Sequence, residues 1–401
     1  MRRLSYVLAA TALVGCGRGA DLTQPPAAAS NAAAAREQAI PDSYEIVTLP
    51  ALSGTIVAGN SINNDGSVAG FATLSGNAVQ HATLWRDGSI QDLGTLGGPN
   101  SSVLWPGLNN RGIVTGVAET ADNQPLGETW SCSAFFPTTT GHVCRGFVWR
   151  DGQMTAMPTL GGDNSFATEV NTRGLVVGWA ETAVVDPTCA SPQVLQFRAV
   201  VWNPESRNLD QLRPLPGDSA SAATAINDED QVVGISGRCD VAVGRFSARR
   251  AVLWDHGRII DIGGLGGVAW NTPMAINNDG VVVGFADTTG DQSGHPNFRA
   301  FIWTKDHGIK GLGMLSGDFL SEALDINNRR QVVGTSIGAN GTRAFIWQDG
   351  KMIDLQTLMP NGYTNVLQSA QGINDQGQIT GYLLVPTTGQ QLAFVATPVR
   401  R

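Results

Sequence analysis

Apolar residues along the chain fall into short β-rich runs separated by Asn, Asp and Gly, a mix that suits strands and tight turns better than helices. One stretch shows the pattern. Leu324-Asp325-Ile326-Asn327 leads through Asn328-Arg329-Arg330 into Gln331-Val332-Val333-Gly334-Thr335. Arg343-Ala344-Phe345-Ile346-Trp347 follows, then a tight turn at Asp349-Gly350, then Lys351-Met352-Ile353-Asp354-Leu355. These segments predict four short antiparallel strands, here named A to D from first to last. Asn277-Asn278-Asp279-Gly280 stands at the A–B turn of the preceding unit, a strong hairpin sequence. Val281-Val282-Val283 and Phe301-Ile302-Trp303 are apolar at consecutive positions, so both faces of these strands must be covered.

The unit recurs seven times. Its markers are Asn63, Asn109, Asn171, Asn227, Asn277, Asn327 and Asn374, each followed seven residues later by Gly70, Gly116, Gly178, Gly234, Gly284, Gly334 or Gly381. The mean period, (374 − 63)/6, is about 52 residues, within the range of propellers and solenoids. Stacking like sheets radially covers both faces of every strand, and closing the row into a ring removes its ends. The termini support closure. Residues 44–49 resemble strand D but precede the first unit, whereas the last unit stops after strand C at Ala393-Phe394-Val395. The expected fold is therefore an all-β, seven-bladed β-propeller of four-stranded antiparallel blades over residues 44–398. An N-terminal strand completes the last blade. An open solenoid would need capping ends, and no polar caps are visible.

The repeated residues have structural explanations. The Asn side chain can hydrogen-bond backbone around the A–B turn, and the Gly allows strand B to pack closely near the axis. Trp85, Trp149, Trp202, Trp254, Trp303 and Trp347, with Phe394 in seventh place, read as inter-blade core.

Taken together, Ile-Asn-x-x-Gly-x-Val-Val-Gly, then Arg/His-Ala-Phe-x-Trp, then Asp-Leu-Gly-x-Leu-Gly-Gly resemble the bacterial extracellular HAF repeat. His81-Ala82 keeps the His of that motif, whereas Arg299-Ala300-Phe301 and Arg343-Ala344-Phe345 keep Ala-Phe behind Arg. The resemblance covers about residues 44–398. It implies an exported, propeller-like protein and implies no catalytic residues.

The N-terminus changes the picture of location. Arg2 and Arg3 precede a short apolar run from Leu4 to Val14, too short to span a membrane comfortably. Leu13-Val14-Gly15-Cys16 resembles a lipobox, which implies a signal over residues 1–16 and lipidation of Cys16; the alternative is an ordinary signal peptide. Gly17 after the Cys resembles sorting to the outer membrane of a Gram-negative bacterium. Residues 17–43 are Ala- and Pro-rich and read as a disordered tether. Cys132, Cys144, Cys189 and Cys239 fit an oxidising compartment. Of their three pairings, Cys132–Cys144 and Cys189–Cys239 are favoured: one closes a local loop, the other links neighbouring units. Metal ligation is the alternative, with only His142 nearby in sequence.

The 26 basic and 34 acidic residues give a formal charge of −8, and no Lys/Arg cluster appears, so nucleic acid is a poor partner. Function should lie where the units differ. From the marker Gly to the Trp (or Phe394) the distances are 15, 33, 24, 20, 19, 13 and 13 residues. The long B–C connections of units 2 to 4 hold all four cysteines, and residues 119–143 add Trp130, Phe135 and Phe136. That insertion either presents its aromatics or folds back and buries them under its own disulfide. In an up-and-down blade the B–C and D–A connections share one face. The D–A connections supply Trp105, Phe166, Trp270, Phe319 and Tyr363; with Trp130 these are the candidate ligand-binding residues, or plugs of the channel. Asp163, Asp218 and Asp318 each follow a Gly and read as turn caps or as site carboxylates. No nucleophile elbow, zinc motif or phosphate loop occurs, and neither cofactor nor metal is expected. The resulting expectation is a monomeric, surface-anchored, non-catalytic binding or scaffold propeller that recognises a glycan or a protein through its disulfide-bearing face. The alternative is a carbohydrate-active hydrolase or lyase using pairs such as Asp163/Glu169 or Asp318/Glu322.

Overall fold

A computed structural model describes residues 40–129, 132, 134–289 and 297–399. The stretch read as an export signal with Cys16, the stretch read as a tether up to residue 39, and Trp130 lie outside the described residues. The fold is the expected seven-bladed propeller. Among the described residues, twenty-eight strands form seven sheets of four, each antiparallel and ordered A-B-C-D. Blade 1 consists of Val57–Ile62, Val68–Thr73, Gln80–Arg86 and Ser89–Asp92.

Closure follows the predicted latch. Tyr44–Thr48 pairs antiparallel with Gln390–Pro398, with Tyr44 opposite Pro398 and Thr48 opposite Phe394. This strand is D of blade 7, and it covers the edge that strand C would otherwise expose. Tyr44 is fully buried in the blade 6–7 core.

The marker asparagines form a closed circuit. Each Nδ2 donates to the carbonyl of the next marker: Asn63 to Asn109 (3.3 Å), Asn109 to Asn171 (2.8 Å), Asn171 to Asn227 (3.2 Å) and Asn227 to Asn277 (3.0 Å). Asn277 donates to Asn327 (3.2 Å), Asn327 to Asn374 (2.9 Å), and Asn374 back to Asn63 (2.9 Å). The Oδ1 of the same side chain closes its own turn. In Asn277 it accepts from the N–H of Asp279 (3.1 Å) and of Val281 (2.9 Å). One buried side chain therefore shapes the turn and ties the blade to its neighbour.

The marker glycines are a steric requirement. In six blades strand A bulges beside the residue facing the Gly, as between Ala167 and Glu169 or Ala323 and Asp325. A Cβ on Gly178 would lie 1.8 Å from the Phe166 carbonyl oxygen, and one on Gly334 would lie 1.9 Å from that of Glu322. The other five meet a strand A carbonyl oxygen at 2.1 Å or less. No side chain fits there.

Eight hydrophobic clusters are present among the described residues. Seven of them each contain one member of the Trp/Phe394 series, which confirms its role between blades. The eighth contains none of that series. It holds Trp105, Phe166, Trp179 and all four paired cysteines, and it lies where the insertions meet the strands of blades 2 to 4.

Asn277→Ala removes two accepted bonds and one donated bond at a buried site, so it is expected to lower stability by roughly 2–4 kcal/mol. Asn278→Ala, on the exposed side of the same turn, is expected to cost less than about 1 kcal/mol because water replaces its partners. Urea denaturation of the two variants checks the contrast.

Candidate functional site

The two ends of the ring differ. At the A–B end, the strand A termini and the Asn turns of all seven blades surround an axial cavity of about 150 Å³. Four acidic residues line it: Asp228 and Asp375, one position after their markers, and Glu169 and Asp325, two positions before theirs. The other blades carry Ser61, Gly107, Ala225, Ala275 and Gly372 there. Glu169 accepts from the Ile226 N–H (2.7 Å), and Asp325 from those of Ile373 (2.8 Å) and Ile326 (2.8 Å). Ser61 accepts in the same way from Leu108 (3.1 Å). Burial raises both acids, Glu169 well above the carboxylate range and Asp325 to about 7; the charge of Asp325 adds to the effect on Glu169. Each side chain keeps some contact with the lumen but is ringed by protein, so solvent offsets little of that penalty. This cavity suits a few waters, and its carboxyls do the inter-blade work that Ser61 does elsewhere.

The opposite end carries the insertions. Both favoured disulfides are formed, Cys132–Cys144 and Cys189–Cys239. Hydrogen bonds join the three insertions into one layer from blade 1 to blade 5. From the blade 2 insertion, Thr138 donates to the Ala78 carbonyl of blade 1 (3.0 Å), and the Phe135 carbonyl accepts from Gln80 (3.0 Å). Glu128 Oε1 accepts from Val194 N (2.7 Å) and Leu195 N (2.5 Å) of blade 3. Ala190 N donates to Asp240 O of blade 4 (2.7 Å), and Asn271 of blade 5 donates to Ala248 O (2.8 Å) and Arg249 O (2.8 Å). Glu181 accepts from Asn164 (2.8 Å) and from Gln193 (3.0 Å), which also donates to Glu128 (3.2 Å). Burial is the main cause of the raised Glu128 and Glu181 pKa values; the Glu128 charge adds to that of Glu181.

Beneath this layer lies an aromatic core. Phe166 stacks on Trp179 with centroids 4.3 Å apart, and Trp105 meets Phe166 edge-on at 5.2 Å and Phe135 at 5.7 Å. The candidate list is corrected accordingly. Trp105 (9% exposed) and Phe166 (1%) are core residues that offer no face to a ligand. The insertion has folded back so that Phe136 is buried and Phe135 packs against Trp105 and Phe166. Trp270 and Tyr363 are half-buried, and Tyr363 packs against the blade 6–7 core. Phe319, at 51% exposure, is the described candidate that faces solvent.

Sequence reading missed a second class of surface residue. Nine large hydrophobic side chains are exposed among the described residues, and seven of them lie at the B–C/D–A end: Ile56, Leu126, Val184, Val185, Val268, Phe319 and Val366. It also missed a basic group. Arg238, Arg245, Arg249 and Arg250 share the blade 4 insertion, where the absence of any Lys/Arg cluster was expected.

The proposed carboxylate pairs do not face each other across a groove. Asp163 and Glu169 sit near opposite ends of strand Gly161–Val170, six residues and so about 20 Å apart. Asp318 and Glu322 are four residues apart on one strand, about 13 Å, and Asp318 pairs with Arg343 (2.9 Å). Glycosidase carboxyl pairs stand roughly 5–9.5 Å apart.

No protein-family model matches the chain, nor does the sequence of any curated protein. Solved structures do resemble it in fold. Acylaminoacyl peptidase of Pyrococcus horikoshii is 13% identical with a TM-score of 0.51, the match covering 85% of this chain and 50% of that one. The present chain thus spans about half the length of that peptidase. Virginiamycin B lyase from Staphylococcus aureus is 12% identical with a TM-score of 0.50, over 89% of this chain and 99% of the lyase. At such identities the likeness is one of fold.

Glu322 supplies a pH test of the inner strands. Burial raises its pKa to about 7. Between about 4.5 and 7 the folded state holds more protons than the unfolded state, so this group makes stability fall as pH rises. Glu322→Gln lacks that penalty. Thermal melts are expected to match wild type near pH 4.5 and to exceed it above pH 7 by on the order of 2 kcal/mol.

Proposed function

We propose that this is an exported HAF-repeat propeller, tethered to the envelope through Cys16, that recognises a glycan or protein without catalysis through its disulfide-bearing face. One observation carries the reading: the three cysteine-bearing insertions are joined into one layer on the end of the ring where seven of the nine large hydrophobics exposed among the described residues lie. Apolar side chains exposed at one end gain free energy when a partner buries them, and a rigid scaffold that holds them lowers the ordering cost of binding. The disulfides fit an extracellular or periplasmic location, and no helix among the described residues is long and apolar enough to cross a membrane. The lyase and peptidase likenesses extend to fold alone, and the separated carboxylate pairs favour binding over hydrolysis.

The intact protein would be presented to a glycan array and to immobilised envelope proteins. A Leu126→Glu/Val185→Glu/Phe319→Glu variant is expected to lose at least tenfold in affinity with an unchanged melting temperature. Val47→Glu, an exposed substitution on the outer strand, is the control and is expected to bind normally. Equal binding by the triple variant, or no binding by wild type to either class, overturns the reading.

A further inference from the structure

The geometry points to a site for a carboxylate-bearing saccharide unit in a pocket formed by Arg238, Phe246, Arg249 and Val268. This inference rests on the reading of the disulfide face as a recognition surface, and it names the chemistry that part of that face would select.

The pocket encloses about 230 Å³ where the blade 4 insertion meets the D–A connection of blade 5. Its walls are fixed on both sides. Cys239 is bonded to Cys189 of blade 3, and Arg238 N donates to the Phe246 carbonyl (3.3 Å). On the other side Trp270 N donates to Arg245 O (3.3 Å), and Asn271 Nδ2 to Arg249 O (2.8 Å). Phe246 N donates in turn to the Asp240 carboxylate (3.0 Å). The loop is therefore shaped before any ligand arrives.

Two guanidinium groups border this pocket. Arg238 Cζ lies 4.3 Å from the Phe246 centroid, an arrangement that holds the charge in place without neutralising it. Both Arg238 and Arg249 are exposed, and neither makes an ion pair among the described residues. Their neighbour Arg250 differs, being paired with Asp261 at 2.6 Å. Unpaired guanidinium groups, that of Arg238 held over Phe246, match the planar oxygen pair of a carboxylate.

The remaining walls narrow the class. Val268 is 59% exposed and supplies apolar surface beside the charge, next to the half-buried Phe246 ring, over which Arg238 (4.3 Å) and Arg245 (5.2 Å) both lie. The C–H face of a sugar ring has that complementarity, whereas a free inorganic anion leaves the surface unused. The net charge of −8 repels dense polyanions such as nucleic acid at long range. It repels far less a chain whose carboxylates are spaced one per sugar.

Isothermal titration of the intact protein tests the site with a glucuronate tetramer, a glucose tetramer, inorganic sulfate and inorganic phosphate. The acidic tetramer is expected to bind at least tenfold more tightly than the other three, with affinity falling as salt rises. Arg238→Ala and Arg249→Ala are each expected to weaken it about tenfold, and Arg249→Lys to restore only part of the loss. Both arginines are exposed, so circular dichroism should show native folding throughout. Sulfate or phosphate binding as tightly as the acidic tetramer overturns saccharide recognition. Tight binding that survives in the Arg238→Ala/Arg249→Ala variant removes this pocket but leaves the face as a recognition surface. Failure of every probe, with partner capture by the wild-type face intact, overturns this inference alone.

Discussion

The ring depends on one side chain used twice. Each marker Asn closes its own A–B turn with Oδ1 and reaches the next blade with Nδ2. A bond in one blade thereby fixes the position of the following blade. Seven such steps return to the start, so no blade is left with an unmatched amide or carbonyl at the axis. The marker Gly is the other half of the constraint. The strand A bulge aims a backbone carbonyl at strand B, and only a residue without Cβ accepts it. Asn and Gly recur seven residues apart because turn and bulge are parts of one local geometry.

Around that axis, packing repeats as well. Each blade interface has its own cluster with one large aromatic, and the latch strand closes the outer edge of blade 7. An open row of the same units would expose two apolar faces at its ends. Closure removes them, and it also makes the seven blades equivalent in everything but their loops. Chemical individuality is then confined to the B–C and D–A end and to a few substitutions along strand A.

This division explains what could be read from the sequence. Blade number and the latch were legible because they follow from a spacing and from the missing strand at each terminus. The disulfide pairing was legible because Cys189 and Cys239 occupy corresponding loops of adjacent units. The burial of Trp105 and Phe166 was not legible. It depends on how a unique insertion folds, and no other unit offers a template. Glu169 and Asp325 carried a signal that went unused: they replace small residues at a fixed position before the marker. Exposed Val185 and Val268 looked like ordinary strand or turn residues. The arginines of blade 4 are spread over 238–250, so their convergence appears only once the loop is folded.

The same division bears on which end of the ring meets a partner. At the A–B end the polar groups are already committed to one another, as when Asn278 Oδ1 accepts from Asp228 N (3.0 Å) and Asp375 accepts from Asn328 N (2.9 Å). A ligand arriving there would have to break paired bonds for little apolar gain. At the other end the insertions pack on the aromatic core and are tied together by the Glu128 and Glu181 contacts. What they leave outward is apolar surface and guanidinium charge, both of which gain free energy when covered by a complementary group. The disulfides hold that surface in shape, so little order remains to be imposed on binding. The physical asymmetry of the ring is therefore between an end whose bonds are spent inward and an end whose contacts remain to be made.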